Sequence, residues 1–191
     1  MIILLCGYKR TGKDTFATYI ENNYGFKHHK FANGLKRGLK HLFGFNHAQL
    51  EGDKKEEIDV RWGISPRDAM IFVGTYMFQH EIQKLIPNIK RNFWVKQLMD
   101  DIDINDNIVI SDLRFIHEYE YMKNNIHVPI YIVKIINPKL LIYQKDMDET
   151  ETEHLQFKFD NIIMNDENYF TNIDKLMSDL CCNKHSEHRI F

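Results

Sequence analysis

Met1-Ile-Ile-Leu-Leu-Cys-Gly-Tyr-Lys-Arg-Thr-Gly-Lys-Asp-Thr15 opens the chain, and its reading decides the fold. The apolar run up to Cys6 is too short for a buried helix and stops at Gly7, so it reads as a strand covered on both faces. Gly7-x-x-x-x-Gly12-Lys13 follows, a P-loop pattern up to its last position. Its glycines let successive backbone N–H groups turn inward around an anion. Lys13 adds a mobile positive charge for the outer phosphates, and a helix from Asp14 onward presents its positive end. This is a loop suited to a nucleotide's phosphates.

The last position departs from the pattern. A hydroxyl residue there normally binds Mg²⁺, whereas this chain has Asp14 with Thr15 one residue later. Either Thr15 takes over a phosphate contact and Asp14 holds the metal through water, or the match is fortuitous. The strand before the loop and the helical Asp14-Thr-Phe-Ala-Thr-Tyr-Ile-Glu21 after it supply the context that the pattern requires.

With 191 residues, 43% of them hydrophobic, the chain has enough apolar surface for one substantial core, and a single domain over 1–191 is expected. A net charge of −2 argues against extended nucleic acid as a partner. No apolar run approaches the roughly 20 residues of a membrane span, and no basic leader precedes the first strand, so a cytoplasmic protein without membrane contact is expected. Cys6, Cys181 and Cys182 form no disulfide framework, and the tail from Cys181 to His188 matches no zinc spacing and reads as a solvated terminus.

Further along, Phe26–Phe31 reads as a short second strand with His28 and His29 at the surface. The next helix places Leu35, Leu39, Leu42 and Phe43 on one face, with Lys36 in its first turn, where an α/β sheet opens its ligand crevice. Residues 46–64 are polar and read as a surface loop or mobile segment. Ser65-Pro66 starts a helix carrying Ala69, Met70, Val73 and Met77 on one side, interrupted by Gly74-Thr75, which a close approach of a ligand or another helix would justify. A helix capped by Asn92, a buried strand ending at Ser111-Asp112, a helix from Phe115 to Asn125, strands at 128–136 and 159–164, and a helix over 169–180 complete the chain. Strands alternating with helices predict a doubly wound parallel sheet covered on both sides, with the helices between strands two and three as a large insertion rather than a second core.

In such a sheet Asp112 reaches the same edge as Lys13 and serves as the acid that organises Mg²⁺ through water. Arg114 follows with a planar fork suited to phosphate, or to a salt bridge. Phosphoryl transfer requires a second anion site for the acceptor, for which Lys36, Arg67 and Arg114 are the candidates.

The P-loop with its Asp14, Phe31-Ala32-x-x-Leu35-Lys36, Arg67 ahead of Gly74-Thr75, Phe93-Trp94-Val95 and Ser111-Asp-Leu-Arg-Phe-Ile-His-Glu118 stand in an order that resembles the deoxynucleoside monophosphate kinases of phages and large DNA viruses. The resemblance runs to about Asn165-Asp166. It implies a three-layer P-loop kinase fold with a central parallel sheet of about five strands, a helical substrate-binding insertion at about 32–105 and a lid at about 137–158. It also implies ATP-dependent conversion of a deoxynucleoside monophosphate to the diphosphate, with Mg²⁺, and a homodimer.

By matched position Gly7, Gly12, Lys13, Asp14 and Thr15 would hold ATP and its metal, the metal at Asp14. Leu35, Lys36, Arg67, Gly74, Thr75, Trp94, Asp112, Arg114 and Glu118 would line the acceptor site, with Trp94 either stacking on the base or packing in the core. The lid contains no arginine, only Lys139, Lys145 and Lys158, so Arg10 in the P-loop is expected to supply the transition-state charge; Thr152-Glu153 matches a pair in the family's lid. Lys13, Arg10, Asp112 and Arg114 are thus the expected catalytic set. Two other readings keep the loop: a small-molecule kinase resembling the phosphomevalonate kinases, and a catalytically degenerate nucleotide-binding module. A GTP-dependent switch is disfavoured because no Asn-Lys-x-Asp sequence is present.

Overall fold

The protein is described by a computed structural model over residues 1–140 and 156–186. Most of the expected lid, with Lys145, Thr152 and Glu153, lies outside the described residues. The chain divides into two compact units, one formed by 1–28, 104–116 and the chain from Val128 onward, the other by 29–103 and 117–127.

The first unit is built on the opening strand. β1 (Ile2–Cys6) is buried along its whole length, as an uninterrupted apolar run must be when neighbours cover both faces. It lies at the centre of a five-stranded sheet with β2 (Lys27–His29), β3 (Ile108–Ile110), β4 (Ile130–Ile136) and β5 (Asn161–Met164), in the order β2-β3-β1-β4-β5. Its pairings with β3 and β4 are parallel, Leu4 facing Ile110 on one side and Ile132 on the other, and β4 pairs in parallel with β5. The carboxyl ends of β1 and β3 therefore share an edge. Helices α1 (Lys13–Tyr24) and α7 (Tyr169–Ser186) supply Phe16, Ile20, Ile173 and Met177 to a core with Ile3, Leu5, Val133 and Ile135. Asp174 accepts from Tyr19 (2.9 Å) and Tyr24 (2.7 Å), which fastens α7 to α1. The doubly wound parallel sheet is thus as predicted. α7 runs past the expected end at Leu180, so Cys181 and Cys182, exposed as expected, are helical rather than part of a frayed tail, and Phe170 is 48% exposed, its ring centroid 4.7 Å from that of Tyr19.

The helical unit has an apolar cluster of its own, where the sequence reading had an insertion without one. Leu35 and Leu39 of α2 (Ala32–Phe43) pack with Phe45, Leu50, Ala69 and Val73. Leu42, expected on that face, is 71% exposed; the chain turns at Gly44 and Phe45 fills the core instead, stacked on Phe43. The 46–64 segment is ordered rather than a plain surface loop. α3 (His47–Leu50) starts with a capping box between Asn46 and Gln49. The buried carboxylate of Asp59 then accepts from the Arg61 backbone N–H, Nε and Nη2 and from Gln49 Nε2, so the Arg61 guanidinium holds its pKa far below the carboxylate range.

α4 (Pro66–Ile71) begins as expected, Ser65 capping Asp68 with proline at the first position. It does not continue as an α-helix, because Phe72–His80 is π-helical. The wider turn shifts the phase of the buried stripe: Met77, expected inside, is 41% exposed, while Gln79 is buried and accepts from Arg91 Nε and Nη2. α5 (Phe93–Asp101) follows, but Asn92 does not cap it: its side chain bonds no backbone N–H, and its Oδ1 is buried with no hydrogen-bond partner among the described residues. Arg37 of α2 pairs with Asp101 at the other end. α6 (Ile116–Asn125) carries His117, whose pKa burial and the Arg91 charge push down to about 4. No described helix is long and apolar enough to cross a membrane.

Candidate phosphate-binding site

Between β1 and α1 the chain forms the loop that the sequence predicts, and its shape depends on backbone conformations open to few residues. Gly7 (φ 134°) passes so close to β4 that a Cβ would lie 2.4 Å from the Ile135 carbonyl oxygen. Arg10, at the tip, holds φ 63° and is exposed. Gly12 closes the loop at φ 106° as the N-cap of α1, where no side chain caps the helix and its dipole favours an anion. Lys13 bends back over the loop, its Nζ donating to the carbonyls of Gly7 and Tyr8 at 2.6 Å each. Asp14 and Thr15 are exposed in the first turn of α1.

Several residues that sequence reasoning did not single out hold this loop. Thr11, 1% exposed, bonds the Tyr8 carbonyl through its hydroxyl at 2.8 Å. Asn165, immediately after β5, donates from Nδ2 to the Thr11 carbonyl at 2.8 Å, and the Tyr169 hydroxyl donates to the Gly12 carbonyl at 2.9 Å. Burial raises the Tyr169 phenol well above its ordinary pKa, so it remains a donor at neutral pH. Ser111, just beyond β3, donates from Oγ to Asp14 Oδ1 at 2.7 Å. His28, expected at the surface, has a side chain only 16% exposed, with Nε2 2.8 Å from Ser111 Oγ. A polar residue directly after an apolar strand, at the edge that carries the loop, is the signal that would have found Ser111 and Asn165.

Asp112 and Arg114 follow Ser111 in the same unit, Asp112 half-buried and Arg114 exposed. The other expected site residues belong to the helical unit. Among these, Leu35, Gly74 and Trp94 come together: a Cβ on Gly74 would lie 2.6 Å from Leu35 Cδ2, and Trp94 Nε1 donates to the Gly74 carbonyl at 2.8 Å. Another helix, α2, therefore accounts for the glycine. Trp94 packs against Phe78 and Phe93 with ring centroids 5.0 Å apart in each pair. Lys36 pairs with Glu51 at 2.7 Å, Arg67 is half-buried in the first turn of α4, Thr75 is half-buried in the π-helical turn, and Glu118 is buried on α6.

A parallel sheet in this strand order, with a glycine loop and lysine between its central strand and the next helix, defines a P-loop kinase fold. Solved structures agree on the fold. Shikimate kinase from Aquifex aeolicus superposes with a TM-score of 0.50 at 12% identity, and dephospho-CoA kinase from Campylobacter jejuni with 0.50 at 15%, each over 96% of this chain and 98% of its own. The family model described as deoxynucleotide monophosphate kinase matches residues 1–62. A protein of Acanthamoeba polyphaga mimivirus named "Putative deoxynucleotide monophosphate kinase" is 30% identical over 175 residues, 86% of this chain and 88% of its own. The chain belongs to the deoxynucleotide monophosphate kinase family.

Proposed function

We propose that this kinase transfers the γ-phosphoryl group of ATP to a deoxynucleoside 5′-monophosphate, giving the diphosphate and ADP for DNA precursor synthesis. The observation that carries this reading is the mimiviral relative, similar along 86% of the chain and named for that acceptor class. The geometry of the loop supports the donor half. Gly7, Gly12, Lys13 and Thr15 receive the ATP phosphates on backbone N–H groups, a helix N-terminus and an ammonium. A phosphate oxygen is a stronger acceptor than the carbonyls that now hold Lys13, so Nζ moves outward to it.

Asp14 suits Mg²⁺, which takes oxygen ligands and is usually held by one or two carboxylates plus substrate phosphates. Its carboxylate is exposed in the first turn of α1 and oriented by the Ser111 hydroxyl. When bound, the ion neutralises charge on the β- and γ-phosphates. Asp112 orders the water around that charge, and Arg10 stabilises the transferring phosphoryl from within the loop. For the acceptor we assign Lys36, Arg67 and Arg114 to the phosphate, and Leu35, Gly74, Thr75, Trp94 and Glu118 to the nucleoside.

The test is ADP release from Mg-ATP with the four common deoxynucleoside monophosphates, their ribose counterparts and phosphomevalonate. Turnover with at least one deoxynucleotide, lost in Lys13→Ala, is the expected result. Turnover with phosphomevalonate alone, or with no acceptor while ATP still binds, overturns the assignment.

A further inference from the structure

We infer that His28 is a positioning residue for Asp14, acting through the hydroxyl of Ser111. The inference rests on the reading above that Asp14 meets the metal of Mg-ATP, and on nothing about the acceptor.

Ser111 is 1% exposed, and its Oγ lies 2.7 Å from Asp14 Oδ1 and 2.8 Å from His28 Nε2. A serine hydroxyl has one proton to give and two lone pairs to receive with, while a carboxylate only accepts. The single proton is therefore committed to Asp14. The His28 contact must then run the other way, Nε2–H donating to the serine oxygen, so His28 carries a proton on Nε2. His28 Nε2 is 4.0 Å from Asp14 Oδ1, beyond hydrogen-bond reach, so its influence passes through the hydroxyl.

The result is a directed chain, His28 to Ser111 to Asp14, in which each donation strengthens the next. A hydroxyl is otherwise free to turn among three staggered positions, and the imidazole leaves it one. Asp14 has the greater need of such a hold. Its side chain is 67% exposed, and an exposed carboxylate samples rotamers that turn it away from a metal's water shell. Carboxylates and imidazoles that bind metals are commonly aimed by donors behind them, and loss of such a donor costs about 10- to 100-fold in metal affinity or activity at the strong end. The link here is one hydrogen bond further back, so the expected effect is smaller.

The experiment measures ATP affinity on the full chain by calorimetry, with Mg²⁺ and with EDTA and with no acceptor present. In His28→Phe, Mg-ATP binds about five- to tenfold more weakly, the order of one hydrogen bond between neutral groups, while metal-free ATP stays within about twofold. His28→Gln, whose amide N–H falls close to the Nε2 position, recovers most of the loss. Ser111→Ala loses more than His28→Phe, because it removes the direct donor to Asp14, and the double substitution is no worse than Ser111→Ala alone, because His28 works only through Ser111. In ¹⁵N NMR spectra of the unliganded protein, His28 shows a protonated Nε2.

Unchanged Mg-ATP affinity in His28→Phe overturns the inference, as does an equal loss with EDTA, which would make His28 only a fastening of β2 to the sheet. An unprotonated Nε2 also overturns it. If Mg²⁺ gives the wild-type protein no gain in ATP affinity, the metal role of Asp14 falls along with it. Failure of the deoxynucleotide assignment leaves every arm of this test intact.

Discussion

Replacing Gly12 with alanine strikes the loop twice, and the two blows can be separated. The backbone at Gly12 sits at φ 106°, ψ 12°, where an L side chain carries about 2 kcal/mol of strain. The added Cβ would also lie 2.4 Å from Asn165 Nδ2, so Asn165 must withdraw and its 2.8 Å bond to the Thr11 carbonyl breaks, at about 1 kcal/mol. The expected loss of stability is therefore about 3 kcal/mol, read from urea unfolding by linear extrapolation. Asn165→Ala alone loses the bond, about 1 kcal/mol, and also removes the obstruction. Gly12→Ala in that background then adds only the strain of about 2 kcal/mol, so the double variant falls about 1 kcal/mol short of the sum of the singles. Additivity within about 0.4 kcal/mol would refute the reasoning, because the clash with Asn165 is the only route by which the two sites couple in this account.

Three other outcomes are expected. Arg10→Ala lowers turnover by about a thousandfold, the lower end for an arginine aimed at the transferring phosphoryl, with ATP affinity little changed; intact turnover, together with its loss in Lys145→Ala, would move that charge to the 137–158 segment. Trp94→Phe destabilises the protein by about 1 kcal/mol in urea unfolding, because the Gly74 carbonyl in the π-helical turn loses its indole donor; wild-type stability would show that this bond does not hold the turn. Arg61 and Gln49 hold the folded pKa of Asp59 below its unfolded value, so its contribution is complete above the ordinary carboxyl pKa of about 3.9 and is lost as pH falls toward the folded value. Asp59→Asn should lower the urea midpoint at pH 7 and flatten its decline toward acid; parallel curves for the two proteins would refute this.

The elements legible in the sequence are those whose causes are local. An apolar run stopped by Gly7, a helix closed by Gly25 in the left-handed region, and Ser65-Pro66 at a helix start each carry their instruction within a few residues. The phosphate loop was legible for the same reason. The π-helical turn was not: Gly74 announced a close approach, but the identities of Leu35 and Trp94 as its partners come from α2 and α5. The phase shift that buries Gln79 and exposes Met77 follows from that packing and leaves no trace in 3.6-residue periodicity. The surface reading of residues 46–64 failed in the same way at Asp59, an acid in a charged stretch that turns inward only because Arg61 and Gln49 meet it there. Around the site, sequence reasoning chose Asp112 for its charge and passed over Ser111, whose hydroxyl reaches the loop.

The bonds from Asn165 and Tyr169 to the loop span 154 and 157 residues. The strands that flank β1 are also distant, beginning at Ile108 and Ile130. In the order of synthesis, then, the loop is made well before the two residues that hold it. A nascent chain displays the whole P-loop sequence long before it has the means to shape it, and a product truncated before Asn165 would keep the motif without either bond. Both Asn165 and Tyr169 must be made before these two bonds to the loop can form.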